Sequence, residues 1–178
     1  VVVSSYAEYE RLEERLRILG FHHSPEDTIL CRYRYQGVMV DIMPTDVPAI
    51  GPTNRWYVPG MAHAVDHALT DGTTIKLLNV AYFLATKFEA FKSRGGDLRT
   101  SKDFEDIVFV LDGRLRWEEE LQQAPNDLQR YLRNEFEGLL GTRGALEAIS
   151  AHLDPRIAYD RARLLESRLL RFVTEAGR

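Results

Sequence analysis

Residues 80–113 read VAYFLATKFEAFKSRGGDLRTSKDFEDIVFVLDG, and the two helices this stretch encodes set the frame for the chain around them. Over 80–93, Val80, Phe83, Leu84, Phe88 and Phe91 recur at helical spacing and define a buried side. Lys87 lies beside that stripe rather than opposite it. The loop Arg94-Gly95-Gly96-Asp97 ends the first helix. Thr100 or Ser101 then caps a second helix over about 102–111, and Asp112-Gly113 closes it.

Upstream, strand signals dominate. Residues 29–35 (ILCRYRY) alternate, with Ile29, Cys31, Tyr33 and Tyr35 on one face and Arg32 and Arg34 on the other. Gln36-Gly37 supplies a turn, and residues 38–43 return with Asp41 inside an otherwise apolar strand. Residues 45–60 are rich in proline and glycine and read as an irregular connection that includes Asp46. Two further short strands, 63–69 and 74–78, flank the turn Asp71-Gly72. His63 and His67 then share a strand face. At the start, Val1-Val2-Val3 reads as a buried strand, and Ser4 or Ser5 caps a helix to about Leu19 with Tyr6, Tyr9, Leu12, Leu16 and Leu19 as its apolar stripe. The sequence therefore opens as if in the middle of an α/β unit.

Downstream of Gly113 the strand signals stop. Stretches 117–123, 127–140, 144–153 and 156–175 read as helices separated by Pro125, Gly141/Gly144 and Pro155. The expected class is α/β (α+β), an α/β part over 1–113 followed by an all-helical region over 114–178.

Composition bounds the function. Apolar residues make up 44% of the 178, charged residues 28%, and the formal net charge is −4, which argues against a strongly basic nucleic-acid binder. Residues 1–112 hold 12 Lys/Arg against 16 Asp/Glu, while 113–178 hold 11 of each. In the last helix Arg156, Arg161, Arg163, Arg168 and Arg171 form a local excess that could meet a phosphate backbone; the competing reading is a solvated face laced with ion pairs. No apolar run is long enough to span a membrane and no signal peptide is expected. Cys31 is the only cysteine, which suits a reducing cytoplasm.

Three positions stand out chemically. A carboxylate inside a strand, such as Asp41, is costly unless paired or bound to a cation, and enzymes of phosphoryl and nucleotidyl transfer use such groups as metal ligands. The alternative is an edge-strand aspartate on a wet face. Lys87 can snorkel, or its ammonium can neutralise a triphosphate. Asp103 can be a first-turn charge that complements the helix dipole, or can orient Lys87 across the glycine loop. The histidines show no zinc spacing, and no nucleophile elbow, Walker loop or dinucleotide fingerprint is present. Trp56 and Tyr57 can stack on a base or pack over the hairpin.

The segments VMVDIMPTD (38–46), NRWY (54–57), FLATKFEAFKSRGGD (83–97) and SKDFEDIVFVLDGR (101–114) occur in this order. Together they resemble the AbiEii-type nucleotidyltransferases, toxins of bacterial abortive-infection and toxin–antitoxin systems. The resemblance covers about 1–113 and is densest over 82–113. It implies a polymerase-β-like core and Mg²⁺-dependent transfer of a nucleoside monophosphate from a nucleoside triphosphate (NTP) to an RNA acceptor such as tRNA, with an antitoxin as a possible partner. Asp41 would be the third metal-site carboxylate and base, Lys87 with Ser101 and Lys102 would bind the triphosphate, and Asp103 would support Lys87. The family's Gly-Ser motif and Asp-x-Asp pair would lie upstream of Val1, so the chain is expected to lack the beginning of the core. The alternatives are an inactive nucleotide- or protein-binding homologue, or transfer to a protein hydroxyl.

Overall fold

The computed structural model describes residues 5–43, 45 and 53–175. The strand expected at Val1–Val3, and Asp46, lie outside the described residues. The fold is mixed: mostly helical, with two small antiparallel sheets. It divides into two compact units, Val1–Pro59 and Gly60–Arg178.

The first unit begins with α1 (Tyr6–Ile18), whose cap is Ser5: its Oγ accepts the backbone N–H of Glu8 at 3.2 Å. Glu8 in the first turn and Arg15 and Arg17 in the last complement the helix dipole. Of the expected stripe only Tyr9 and Leu16 are buried, and Tyr6 and Leu19 are exposed. Helical spacing marked the right face but overstated its length. The chain leaves the helix through Gly20, at a φ of 93° that favours glycine.

β1 (Arg32–Tyr35) and β2 (Val38–Asp41) pair antiparallel, with Arg32 opposite Asp41 and Tyr35 opposite Val38. Gln36 and Gly37 both take positive φ, 47° and 81°, the conformation of the tight turns whose twist matches that of paired strands. Cys31 and Tyr33 face inward, and the Tyr33 hydroxyl meets that of Tyr9 at 2.9 Å, tying α1 to the hairpin.

Residues 57–62, expected to be irregular, form a short helix, α2 (Tyr57–Ala62), inside which the boundary between the units falls. Asn54 starts it: its carbonyl accepts from the Tyr57 N–H at 2.9 Å and its side chain from that of Trp56 at 3.0 Å. Pro59 is tolerated because the N–H groups of a first turn have no partner within the helix. His63 therefore lies outside β3 (Val65–Ala68) and does not share a strand face with His67. Its ring stacks near Tyr82 at 5.2 Å instead. β3 pairs with β4 (Thr74–Leu77) around Gly72.

The remainder of the second unit is helical: α3 (Val80–Arg94), α4 (Lys102–Gly113), α5 (Trp117–Gln122), α6 (Asn126–Leu140), α7 (Ala145–Ser150) and α8 (Ala158–Thr174). α3 packs on α4, α5 and α6, and α8 packs on α4, α6 and α7, so one core runs uninterrupted across residues 113–116. Its centre is aromatic: Phe88, Trp117, Phe136 and Phe172 meet at ring separations of 5.3 to 6.2 Å. Full burial of each such side chain contributes about 1.5–3 kcal/mol.

Charged clamps close the edges of this core. Lys92 bridges Glu89 at 2.9 Å and Glu135 at 2.6 Å, joining α3 to α6. Arg161 reaches the side chain of Asp112 at 2.7 Å and its carbonyl at 2.8 Å, and Arg168 pairs with Glu118. Arg156 pairs with Asp154 at 2.6 Å. Three of the five arginines read as a phosphate-facing excess thus pair with carboxylates of the chain itself, Arg156 on the open surface and Arg161 and Arg168 at the edge of the core.

Candidate functional site

On α3, Lys87 and Arg94 stand seven residues apart and share a face. Gly95 and Gly96 follow with φ of 67° and 115° and open space where a Cβ would stand, so the chain can turn sharply there. The loop is held from two sides. The carboxylate of Asp97 accepts from the Arg99 N–H at 2.9 Å, and His152 Nε2 donates to the Leu98 carbonyl at 2.7 Å. The Arg99 guanidinium and backbone N–H hold the Asp97 carboxyl down at about 2.

Ser101 caps α4, its Oγ accepting the Phe104 N–H at 3.3 Å. The first turns of α4 then present Asp103 and Asp106 to α3. Arg94 Nη1 donates to Asp103 Oδ2 at 2.5 Å, Lys87 Nζ stands 3.6 Å from Asp103 Oδ1, and Lys87 Nζ contacts Asp106 Oδ2 at 2.5 Å. The side chain of Asp103 is only 5% exposed, against 27% for Lys87 and 64% for Arg94. A carboxylate so buried is tolerated because two cations meet it. The Lys87 ammonium also lies 5.7 Å from the ring of Phe83.

The cluster holds two cations and two carboxylates. Its chemical capacity lies in the asymmetry of exposure: Asp103 is fixed inside, while Lys87 and Arg94 carry further N–H donors outward. Asp106, the nearest carboxylate to Lys87, is itself 48% exposed. Arg94 and Asp106 were not singled out from sequence. Their signal was present, in the seven-residue step from Lys87 to Arg94 and the three-residue step from Asp103 to Asp106.

The other expected residues are placed differently. The Ser101 hydroxyl is occupied as a cap, and Lys102 pairs with Glu105 at 2.6 Å on the surface. Asp41 belongs to the first unit, Lys87 and Asp103 to the second. Its side chain is 39% exposed, so it stands on the wet face of the hairpin, not in an apolar interior. Arg32 takes both its oxygens, Nε to Oδ1 at 2.7 Å and Nη2 to Oδ2 at 2.8 Å, and this pairing holds the carboxyl below the usual range. Asp41 in this state does not fit a divalent cation, which requires free carboxylate oxygens. Among the described residues no three His, Cys, Asp or Glu side chains converge as ligands. Trp56 is buried, with the Arg55 guanidinium 5.0 Å from its ring centroid, so its indole is not an open stacking platform. The Cys31 thiol is buried and pushed up by that burial, which leaves little reactive thiolate.

In comparisons with known proteins, no family model, no curated protein and no solved structure matched the chain. Among the described residues no helix is long and apolar enough to cross a membrane.

Proposed function

We propose that the chain is part of a polymerase-β-like, Mg²⁺-dependent nucleotidyltransferase that moves a nucleoside monophosphate from an NTP onto RNA, tRNA foremost, as the cytoplasmic toxin of a bacterial toxin–antitoxin or abortive-infection system. The resemblance of residues 38–46, 54–57, 83–97 and 101–114 supplies the reaction class. The observation that carries the reading is the gathering of two cations around the buried Asp103, Arg94 at 2.5 Å and Lys87 at 3.6 Å, with Asp106 against Lys87 at 2.5 Å.

In this reading Lys87 neutralises triphosphate oxygens as a point charge and Arg94 offers the outward edge of its guanidinium. Asp103 positions Arg94 and, together with Asp106, Lys87. The acceptor hydroxyl gives up its proton to solvent as its oxygen attacks the α-phosphorus, a new P–O bond forms, and the bond to the bridging oxygen breaks to release pyrophosphate. The metal would neutralise the developing charge. Asp41 would hold the ion only with the Arg32 pair released.

A second reading is a nucleotide- or protein-binding relative that transfers nothing. The bidentate hold of Arg32 on Asp41 favours it. Incubation of the natural gene product with each labelled NTP, Mg²⁺ and bulk tRNA separates the two. Label on RNA that disappears in Lys87→Ala supports transfer. No label from any nucleotide, with an upstream Asp-x-Asp pair present in the protein, rejects it; label on protein instead moves the acceptor to a protein hydroxyl.

A further inference from the structure

Most cations of the second unit already have a carboxylate. Lys76, Lys87, Lys92 and Lys102 each face one within ion-pair distance, as do Arg94, Arg99, Arg114, Arg116, Arg156, Arg161 and Arg168. Arg130 and Arg133 have none among the described residues, although they stand one helical turn apart on α6. Both line a cleft of about 400 Å³ between α6 and the end of α8.

The cleft is built rather than accidental. The Arg133 guanidinium lies over the Phe172 ring, 4.4 Å from its centroid, and donates to the Phe172 carbonyl. That contact fixes the plane of the group and uses few of its five N–H donors, so the rest form a pre-oriented fork. Arg130 is flanked by Asn126 four residues before it and Asn134 four residues after it, both on the cleft wall and both able to donate. α6 begins after Pro125 with no side-chain cap, which leaves its first-turn N–H groups at the same end. The Gln129 amide is committed elsewhere, to the carbonyls of Gln122 and Ala124 at 2.7 Å, and so stiffens the wall. Glu137 sits a turn beyond Arg133 at the opposite end. With Asp127 in the first turn of α6 at the near end, the positive charge of the cleft is centred on Arg130 and Arg133 themselves.

The geometry points to an oxyanion site in this cleft: Arg130 and Arg133 bind a phosphate group, either free or within a polynucleotide backbone. Paired guanidinium forks suit phosphate oxygens, and a cleft needing neither Lys87 nor an NTP does not depend on nucleotide transfer.

The test is NMR of arginine Nε–H signals in the whole chain, titrated with inorganic phosphate and, separately, with a single-stranded RNA oligonucleotide. The expected result is movement of the Arg130 and Arg133 signals, with affinity reduced at least tenfold in Arg130→Gln/Arg133→Gln. The single variant Arg130→Gln, on an exposed side chain with no packing role, is expected to lose most of the effect while keeping the wild-type melting temperature. Arg163→Gln/Arg171→Gln, which removes two other arginines without an ion pair among the described residues, is expected to bind as wild type. Tighter binding of the oligonucleotide than of phosphate, through the same two signals, assigns the site to a nucleic-acid backbone. A response to phosphate alone assigns it to a small anion. Stationary signals with both probes, or equal binding by wild type and Arg130→Gln, overturn the site.

Discussion

The buried carboxylate of Asp103 takes its closest contact from Arg94, at 2.5 Å, and not from Lys87, at 3.6 Å. This ranking has an energetic consequence. Asp103→Asn removes the charge that both cations face and leaves Arg94, itself mostly exposed, to water. The expected loss is about 2–3 kcal/mol, below the full cost of breaking a buried pair because Arg94 is readily solvated. Lys87→Met leaves Asp103 compensated by Arg94 and is expected to cost about 1 kcal/mol. Urea denaturation of both variants checks the order. Equal losses would make Lys87 the principal partner and reverse the assignment of positioning roles.

The two helices around the glycine loop were legible because apolar periodicity, a serine cap and two glycines agree over 80–113. The pairing of Lys87 with Asp103 was also foreseeable, since a short loop folds the end of one helix back to the start of the next. Strand alternation separates two faces but does not say which one is wet. Asp41 was therefore open between an apolar interior and a wet edge, and it stands on the wet side with Arg32, on a hairpin of only two strands. The α2 helix was hidden by Pro59 and Gly60, both ordinary loop markers. The arginines of α8 could not be paired from sequence: Asp112 and Glu118 lie about 50 residues before their partners, Arg161 and Arg168.

Arg32 makes Asp41 a pH-dependent contributor of known sign. Its folded carboxyl is held below the ordinary value, so the contribution is present above about pH 4 and is lost as pH falls through the lower folded value. In Arg32→Gln the Asp41 midpoint is expected to rise toward about 4, the ordinary carboxylate value. Carboxyl ¹³C shifts followed from pH 7 to 2 measure this directly. An unmoved midpoint would show that the bidentate pair does not persist in solution.

The aromatic centre predicts two unequal losses. Phe136 is fully buried against Phe88, Trp117 and Phe172, and Phe136→Ala is expected to cost about 3–5 kcal/mol by leaving a cavity. Trp117 is equally buried, but its indole N–H has no acceptor among the described residues. Trp117→Phe removes that unsatisfied donor along with ring volume, and the two effects offset to a loss of about 1 kcal/mol or less. Chemical denaturation compares them. A large loss in Trp117→Phe would mean that the indole N–H has a partner, ordered water included.

Gly60 probes the close packing where α2 meets the start of α3. A Cβ at this position would stand 2.9 Å from Leu78 Cδ2 and 3.2 Å from Tyr82 Cβ. The leucine methyl can rotate away, but the tyrosine Cβ is anchored to the α3 backbone and cannot. Gly60→Ala therefore gains the usual helical preference for alanine, about 1 kcal/mol, and loses more through overpacking, typically 1–3 kcal/mol. The expected balance is a destabilisation of about 1 kcal/mol, and Gly60→Val is expected to be worse. Pairing Gly60→Ala with Leu78→Ala should recover part of the loss, since the shorter side chain vacates the nearest atom. If the double variant is no better than the sum of its parts, the clash with Leu78 is not what limits this position.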